Sequence, residues 1–175
     1  MFVNLRKFNR SEIGEKESVF FQKAAPLAKL IKDWSRLKAH FKGIRSTYGI
    51  FASLTLANIL FLSEFGSHPL AQKKYGSHVS NNLMLVRSNI DWAGDIISFN
   101  GVDYKSYENW RDFATDISDI FAFSGNYDKA LQVHSQSAQL STCPMLLGTP
   151  INYNEVITSL IERYGLTEFD NLYGR

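Results

Sequence analysis

Tyr48-Gly-Ile-Phe-Ala-Ser-Leu-Thr-Leu-Ala-Asn-Ile-Leu-Phe-Leu-Ser-Glu-Phe-Gly-Ser-His-Pro-Leu-Ala71 holds the most apolar run of the chain, and its reading decides the fold. From Ile50 to Leu62 it runs 13 residues and contains Ser53, Thr55 and Asn58, whereas a membrane-spanning helix needs roughly 20 predominantly apolar residues. A helix that is apolar almost all round belongs at the centre of a core. Ser53 is expected to cap its start, and Gly66 to close it in the left-handed conformation.

Working outward, Phe20, Ala24, Leu27, Ile31, Trp34, Leu37 and Phe41 recur at helical spacing with lysines and arginines between them. They predict a basic amphipathic helical region over 18–44, with Pro26 in the first turn of its main helix or at a break before it. Residues 1–17 read as a flexible or partner-bound arm, and 45–175 as the main domain. Beyond Gly66, Pro69 and Tyr75-Gly-Ser-His78 suggest a loop, or a short helix and then a loop. Asp95-Ile-Ile-Ser-Phe99 and Val102-Asp-Tyr104 flank Asn100-Gly101, the signal for one small hairpin with a type I′ turn. Trp110, Phe113, Ile117, Ile120 and Phe121 mark a further helix ending near Gly125. A last helix carries Tyr153, Val156, Ile157, Leu160, Ile161 and Tyr164 and is closed by Gly165. The fold class is mainly α (α+β), with helices and a small β element.

Composition narrows the function classes. The 175 residues, 45% hydrophobic and 14% aromatic, can bury one sizeable core. A formal net charge of +2 gives no argument for nucleic acid. The basic residues between Arg6 and Arg45 could meet an anionic wall polymer, a membrane surface or an acidic protein partner, or form a solvated helix face. A single cysteine, Cys143, permits no intramolecular disulfide, and the four scattered histidines offer no metal-ligand spacing. Neither a metal nor another cofactor is expected. The opening residues lack the features of a signal peptide, and no transmembrane segment is expected.

The Tyr48–Ala71 stretch resembles the opening of the bacterial peptidoglycan glucosaminidase domain, glycoside hydrolase family 73-like, which typically reads Tyr-Gly-Ile-x-x-Ser-x-x-x-Ala-Gln-x-x-x-Glu-Ser-x-x-Gly-x-Ser-x-Leu-Ala. Further blocks follow in order. Asn81-Asn-Leu83, Tyr104-Lys-Ser-Tyr-Glu-Asn-Trp110 and Asn126-Tyr127 are similar to internal family motifs, and Thr149 to Asp170 to its closing helix. The family's Phe-Gly-Ile-Lys stands here as Met84-Leu-Val-Arg87. The resemblance implies a lysozyme-like fold, a helical lobe and a small β lobe flanking a groove for a peptidoglycan glycan strand. It also implies a place at the cell wall, outside the cell or in a phage virion.

Anchoring on Ser63, Gly66, Leu70 and Ala71 puts Leu62 where the family keeps its catalytic glutamate. Glycoside hydrolysis needs a carboxylic acid to protonate the leaving oxygen, and a positioned general acid is worth roughly 10²- to 10⁴-fold in rate. Leucine cannot serve. Glu64 is one fallback, but in a continuing helix its side chain would stand about 200° round from that of Leu62. Asp95, ahead of the hairpin, is the other. Asn58 shares the face of Leu62, four residues on. For sugar contacts, Asn81, Asn82 and Tyr127 match family positions, and with Trp92 they bring hydrogen-bonding groups and flat apolar faces. Loop capping and core packing are the competing roles. Three functions stay open: a catalytically impaired glycan-binding or structural module, a divergent hydrolase using Glu64 or Asp95, and a scaffold binding a protein partner through its basic amino-terminal region.

Overall fold

The structure, a computed structural model, describes residues 14–72, 74–75, 78–142 and 152–171. Residues 1–13 of the expected arm, Cys143 and the Thr149-Pro-Ile151 end of the closing block lie outside them. The elements run α1 (Glu15–Phe41), α2 (Ala52–Leu62), α3 (Pro69–Gln72), β1 (Lys74–Tyr75), β2 (His78–Val79), β3 (Ile96–Phe99), β4 (Val102–Lys105), α4 (Trp110–Phe123), α5 (Asp128–Gln132), α6 (Gln136–Thr142), α7 (Tyr153–Tyr164) and a 3₁₀ turn, Leu166–Asp170. This is the mainly helical class that the periodicities imply.

α2 is the centre. Every residue from Ala52 to Leu60 is buried, and α1, α6, α7 and the 3₁₀ turn pack round it. Each buried leucine or isoleucine here contributes about 1.5–3 kcal/mol of transfer free energy. Ser53 does not cap the helix. Phe51 holds the N-cap position without a side-chain bond, and Ser53 is already inside the helix. The acceptors come from other elements: the Asp170 carboxylate takes the Ser53 N–H at 2.7 Å, and the Gln139 side-chain oxygen takes the Phe51 N–H. A helix start buried in a core has no water to satisfy its free N–H groups, so partners must arrive through the tertiary fold.

The far end also differs from expectation. The Glu64 N–H donates to the Phe61 carbonyl at 3.2 Å and the Phe65 N–H to the Leu60 carbonyl at 2.8 Å, the paired bonds of a Schellman motif. Its left-handed position is filled by Glu64 (φ +50°), two residues before Gly66. The helix ends at Leu62 because Phe65 folds back onto the core, where it packs as a partly buried residue.

α1 begins at Glu15 and carries Pro26 in its interior, neither in the first turn nor at a break. Pro26 and Gln22, whose carbonyl loses its usual donor, are both exposed, so water can take the freed bond. α1 lies against α2 and α4. Gly49 makes the close approach to α1 possible: a Cβ there would stand 2.2 Å from the Lys32 carbonyl oxygen, and its φ is +68°. Lysines of α1 and of its C-cap turn toward the protein's own acceptors. Lys32 donates to the Asp170 carbonyl, Lys38 pairs with Asp119 at 2.8 Å, and Lys42 with Asp128 at 2.7 Å.

There are two ribbons among the described residues, one more than expected. Lys74 pairs with Val79 and Tyr75 with His78, where a loop was anticipated. The expected hairpin pairs Ile96 with Lys105 through Phe99 with Val102. Its turn has Asn100 at φ +50° and Gly101 at +75°, the signs a type I′ turn requires. Asn109 caps α4, accepting from the N–H groups of Arg111 and Asp112. Gly165 closes α7 at φ +60°.

Candidate functional site

Leu62 is the last residue of α2, half-buried and packed against the core. One turn earlier, Asn58 is buried. Its amide donates to the Leu54 carbonyl at 2.8 Å, and its oxygen accepts from the Tyr153 hydroxyl. Those bonds tie α2 to α7.

Glu64 lies beyond the helix end, so the helical projection that set it opposite Leu62 does not apply. It is exposed. Its carbonyl accepts from the Ser67 N–H and hydroxyl, and its carboxylate is within electrostatic reach of His68. Burial lowers the pKa of His68, and the Glu64 charge opposes that shift. His68 Nδ1 accepts from the Leu70 N–H at 3.2 Å, capping α3, and its ring stands edge-on to Phe99 with centroids 5.5 Å apart. The turn after α2 thus meets the tip of the β3–β4 ribbon.

At the root of that ribbon, the Asp95 side chain is exposed. Its backbone carbonyl accepts from the Trp92 indole N–H at 2.9 Å and the Ser106 N–H at 2.8 Å. Trp92 is hemmed in. The Lys105 ammonium lies 4.5 Å from a ring centroid, Tyr107 stands edge-on at 5.5 Å, and the backbone at Gly94 presses so close that a Cβ there would fall 2.5 Å from the indole. Lys105 also pairs with Asp116 of α4 at 2.9 Å, and the Tyr107 hydroxyl donates to the same carboxylate at 2.6 Å. Burial, and then the Asp116 charge, push the Tyr107 pKa far up, so it stays a neutral donor.

Asn81 and Asn82 brace the same root. The Asn81 amide donates to the carbonyls of Val79, Tyr107 and Glu108. Asn82 is fully buried; its amide donates to Val86 and Lys105 carbonyls, and its oxygen accepts the Val86 N–H at 2.8 Å. Tyr127 is buried, edge-on to Phe121 at 4.8 Å. Trp92, Asp95, Asn81 and Asn82 therefore gather at the ribbon root, Glu64 lies at the turn that meets its tip, and Asn58 and Tyr127 sit in the core.

The sequence reading passed over His68, Lys105, Tyr107 and Asp116. An acceptor directly before Pro69, itself suited to the first helical position, was the signal for His68. Lys105 and Tyr107 sit two apart in extended chain, and Asp116 adjoins the apolar Ile117 face of α4, which together hinted at a polar lock. Among the described residues there is no cluster of three or more metal-ligating side chains, and no helix is long and apolar enough to cross a membrane.

No protein-family model matches the sequence, and no curated protein does. Solved structures do. The catalytic domain of the autolysin Auto from Listeria monocytogenes superposes with a TM-score of 0.63 at 14% identity, over 90% of this chain and 89% of that one. An N-acetylmuramoyl-L-alanine amidase from Staphylococcus aureus gives 0.66 at 19%, over 91% of this chain but 45% of that one. A peptidoglycan hydrolase from Sphingomonas sp. A1 gives 0.59 at 15%, over 86% and 97%. At such identities the likeness is one of fold, and the chain folds as these peptidoglycan hydrolases do.

Proposed function

We propose that this chain is a peptidoglycan-hydrolase-like domain that has given up glycan cleavage and acts as a glycan-binding or structural module, at the cell wall or in a phage virion. The observation that carries the reading is the end of α2. At the position that the sequence resemblance gives to the acid stands Leu62, packed against the core, and the nearest carboxylate in sequence, Glu64, is exposed on a left-handed turn. Leucine has no proton to give to the leaving oxygen of a glycosidic bond. Incubating the purified protein with peptidoglycan should release no new reducing ends. Cleavage that survives Leu62→Ala but disappears in Glu64→Gln would overturn the reading.

A second reading, an active peptidoglycan N-acetylglucosaminidase using Glu64, is favoured by one fact: α2 stops before Glu64, so the carboxylate is not bound to the far face of a helix. The same pair of variants decides between the two.

A further inference from the structure

Two exposed apolar features stand in surroundings of opposite charge. The first is on α1, where Trp34, Leu37 and Phe41 follow one another at helical spacing down one side. Leu37 is 55% exposed and Phe41 79%. The Lys38 ammonium and the Arg111 guanidinium lie 5.6 and 6.0 Å from the Trp34 ring, and from Lys29 to Arg45 the chain carries six lysines and arginines against one acid, Asp33. The second feature is the loop before β3. The Trp92 N–H closes a turn onto the Asn89 carbonyl at 3.1 Å, which sets Ile90 and Asp91 at its tip, and Ile90 is 99% exposed. Turn tips favour glycine, proline, asparagine, aspartate and serine, so an isoleucine there has no local reason. The loop is braced. The Ser88 N–H donates to the Asp103 carbonyl, and the Asp95 carbonyl accepts from both the Ser106 N–H and the Trp92 indole. From Ser88 to Tyr104 the loop and ribbon carry three aspartates and neither lysine nor arginine.

We propose that the Ile90 knob of one copy docks on the Trp34, Leu37 and Phe41 stripe of a second copy, an association independent of any glycan. Charge decides the pairing. Stripe against stripe sets cations together and knob against knob sets carboxylates together, whereas stripe against knob joins opposite signs. The two features also stand on different flanks of the molecule. Lys38 reaches α4 at Ser118, and Lys105, beside the Trp92 ring, reaches it at Asp116; those two positions point about 200° apart round the helix. The contact is therefore head-to-tail, and growth passes beyond a pair unless the copies close into a ring. So small an apolar contact belongs to the class below about 1,200 Å² that forms transient complexes, which makes the association concentration-dependent and sensitive to salt.

The test is sedimentation velocity on the full chain at rising concentration up to its solubility limit, in low and in high salt. The wild type is expected to sediment faster as its concentration rises in low salt and to return to the monomer value in high salt. The double variants Ile90→Ser, Asp91→Lys and Leu37→Ser, Phe41→Ser change only exposed side chains, with circular dichroism confirming the fold of each, and each alone should stay monomeric. Mixed, they should form a dimer and nothing larger, because one keeps the stripe and the other the knob. A wild type that is monomeric at every concentration overturns the proposal, whether another segment of the chain or another partner covers the stripe. Association that the Ile90 variant leaves unchanged overturns it too, since two stripes would then be meeting, as does a mixture that stays monomeric.

Discussion

The Asp170 carboxylate lies 2.7 Å from the backbone nitrogen of Ser53, so the start of the central helix is satisfied by a residue 117 positions later. Burial holds the Asp170 carboxyl above its ordinary range, outweighing the hydrogen bonds from Ser53 and the attraction of Lys32.

Asp170→Ala should therefore cost about 0.5–2 kcal/mol, the usual value of a lost helix cap, read as a lower midpoint in urea unfolding. Asp170→Asn keeps an acceptor and should cost less. The native carboxyl binds its proton more tightly folded than unfolded. Its contribution to stability consequently grows as pH falls through the raised folded-state value toward about 3.9. That gain should be missing from Asp170→Asn; an identical pH profile in the two proteins would count against the assignment.

Leu62→Glu puts a carboxyl at the position that the sequence resemblance gives to the acid, a half-buried one. If the acid is the main loss, release of reducing ends from peptidoglycan should rise roughly 10²- to 10⁴-fold over the wild-type background. No gain in a folded variant would mean that the sugar-positioning groups have gone too.

Asp116→Ala leaves Lys105 buried without its partner and the Tyr107 hydroxyl without an acceptor. A loss of about 3–5 kcal/mol is expected, as for other broken buried pairs. The double variant Lys105→Met, Asp116→Leu should be less damaged than Asp116→Ala, which chemical unfolding of the three proteins will show.

Gly49→Ala forces a methyl group against the Lys32 carbonyl on a backbone with φ +68°. Left-handed strain and overpacking together should cost about 2–5 kcal/mol, seen as a large fall in Tm. A shift of under a degree would mean that α1 can draw back from this loop.

Partial burial lowers the pKa of half-buried His68, against the opposing pull of Glu64. Its folded state disfavours protonation, so the stability it contributes is present above about pH 6.5 and is lost as pH falls from there toward the lower folded-state value. His68→Asn can still accept the Leu70 N–H but does not titrate. The acid-side slope of Tm between those values should flatten in this variant, and an unaltered slope would assign it elsewhere.

Elements whose signals are local were legible in the sequence. The Asn100-Gly101 turn, the helix closed by Gly165 and the burial of Ile50–Leu60 each follow from residues a few positions apart. The misreadings share one cause, satisfaction at a distance. Ser53 looked like a cap because nothing nearby reveals that Asp170 and Gln139 supply the acceptors. Gly66 looked like the helix stop because glycine is the usual left-handed residue, yet the inward packing of Phe65 sets the left-handed turn at Glu64. Asn58 and Tyr127 were candidates for sugar contact, and their roles in the core depend on Tyr153 and Phe121, which no local pattern links to them. The surroundings of the end of α2 were not legible either, because the His68–Phe99 contact joins two segments about thirty residues apart.

The borrowed caps of α2 also set an order of events during synthesis. Chains grow at about 5–20 residues per second, so the 117 positions between Ser53 and Asp170 correspond to roughly 6–23 s of translation. For that interval the most apolar segment of the chain exists with its first N–H groups unanswered. A ribosomal pause between Gln139 and Asp170 would lengthen that interval, whereas a pause before Tyr48 would not.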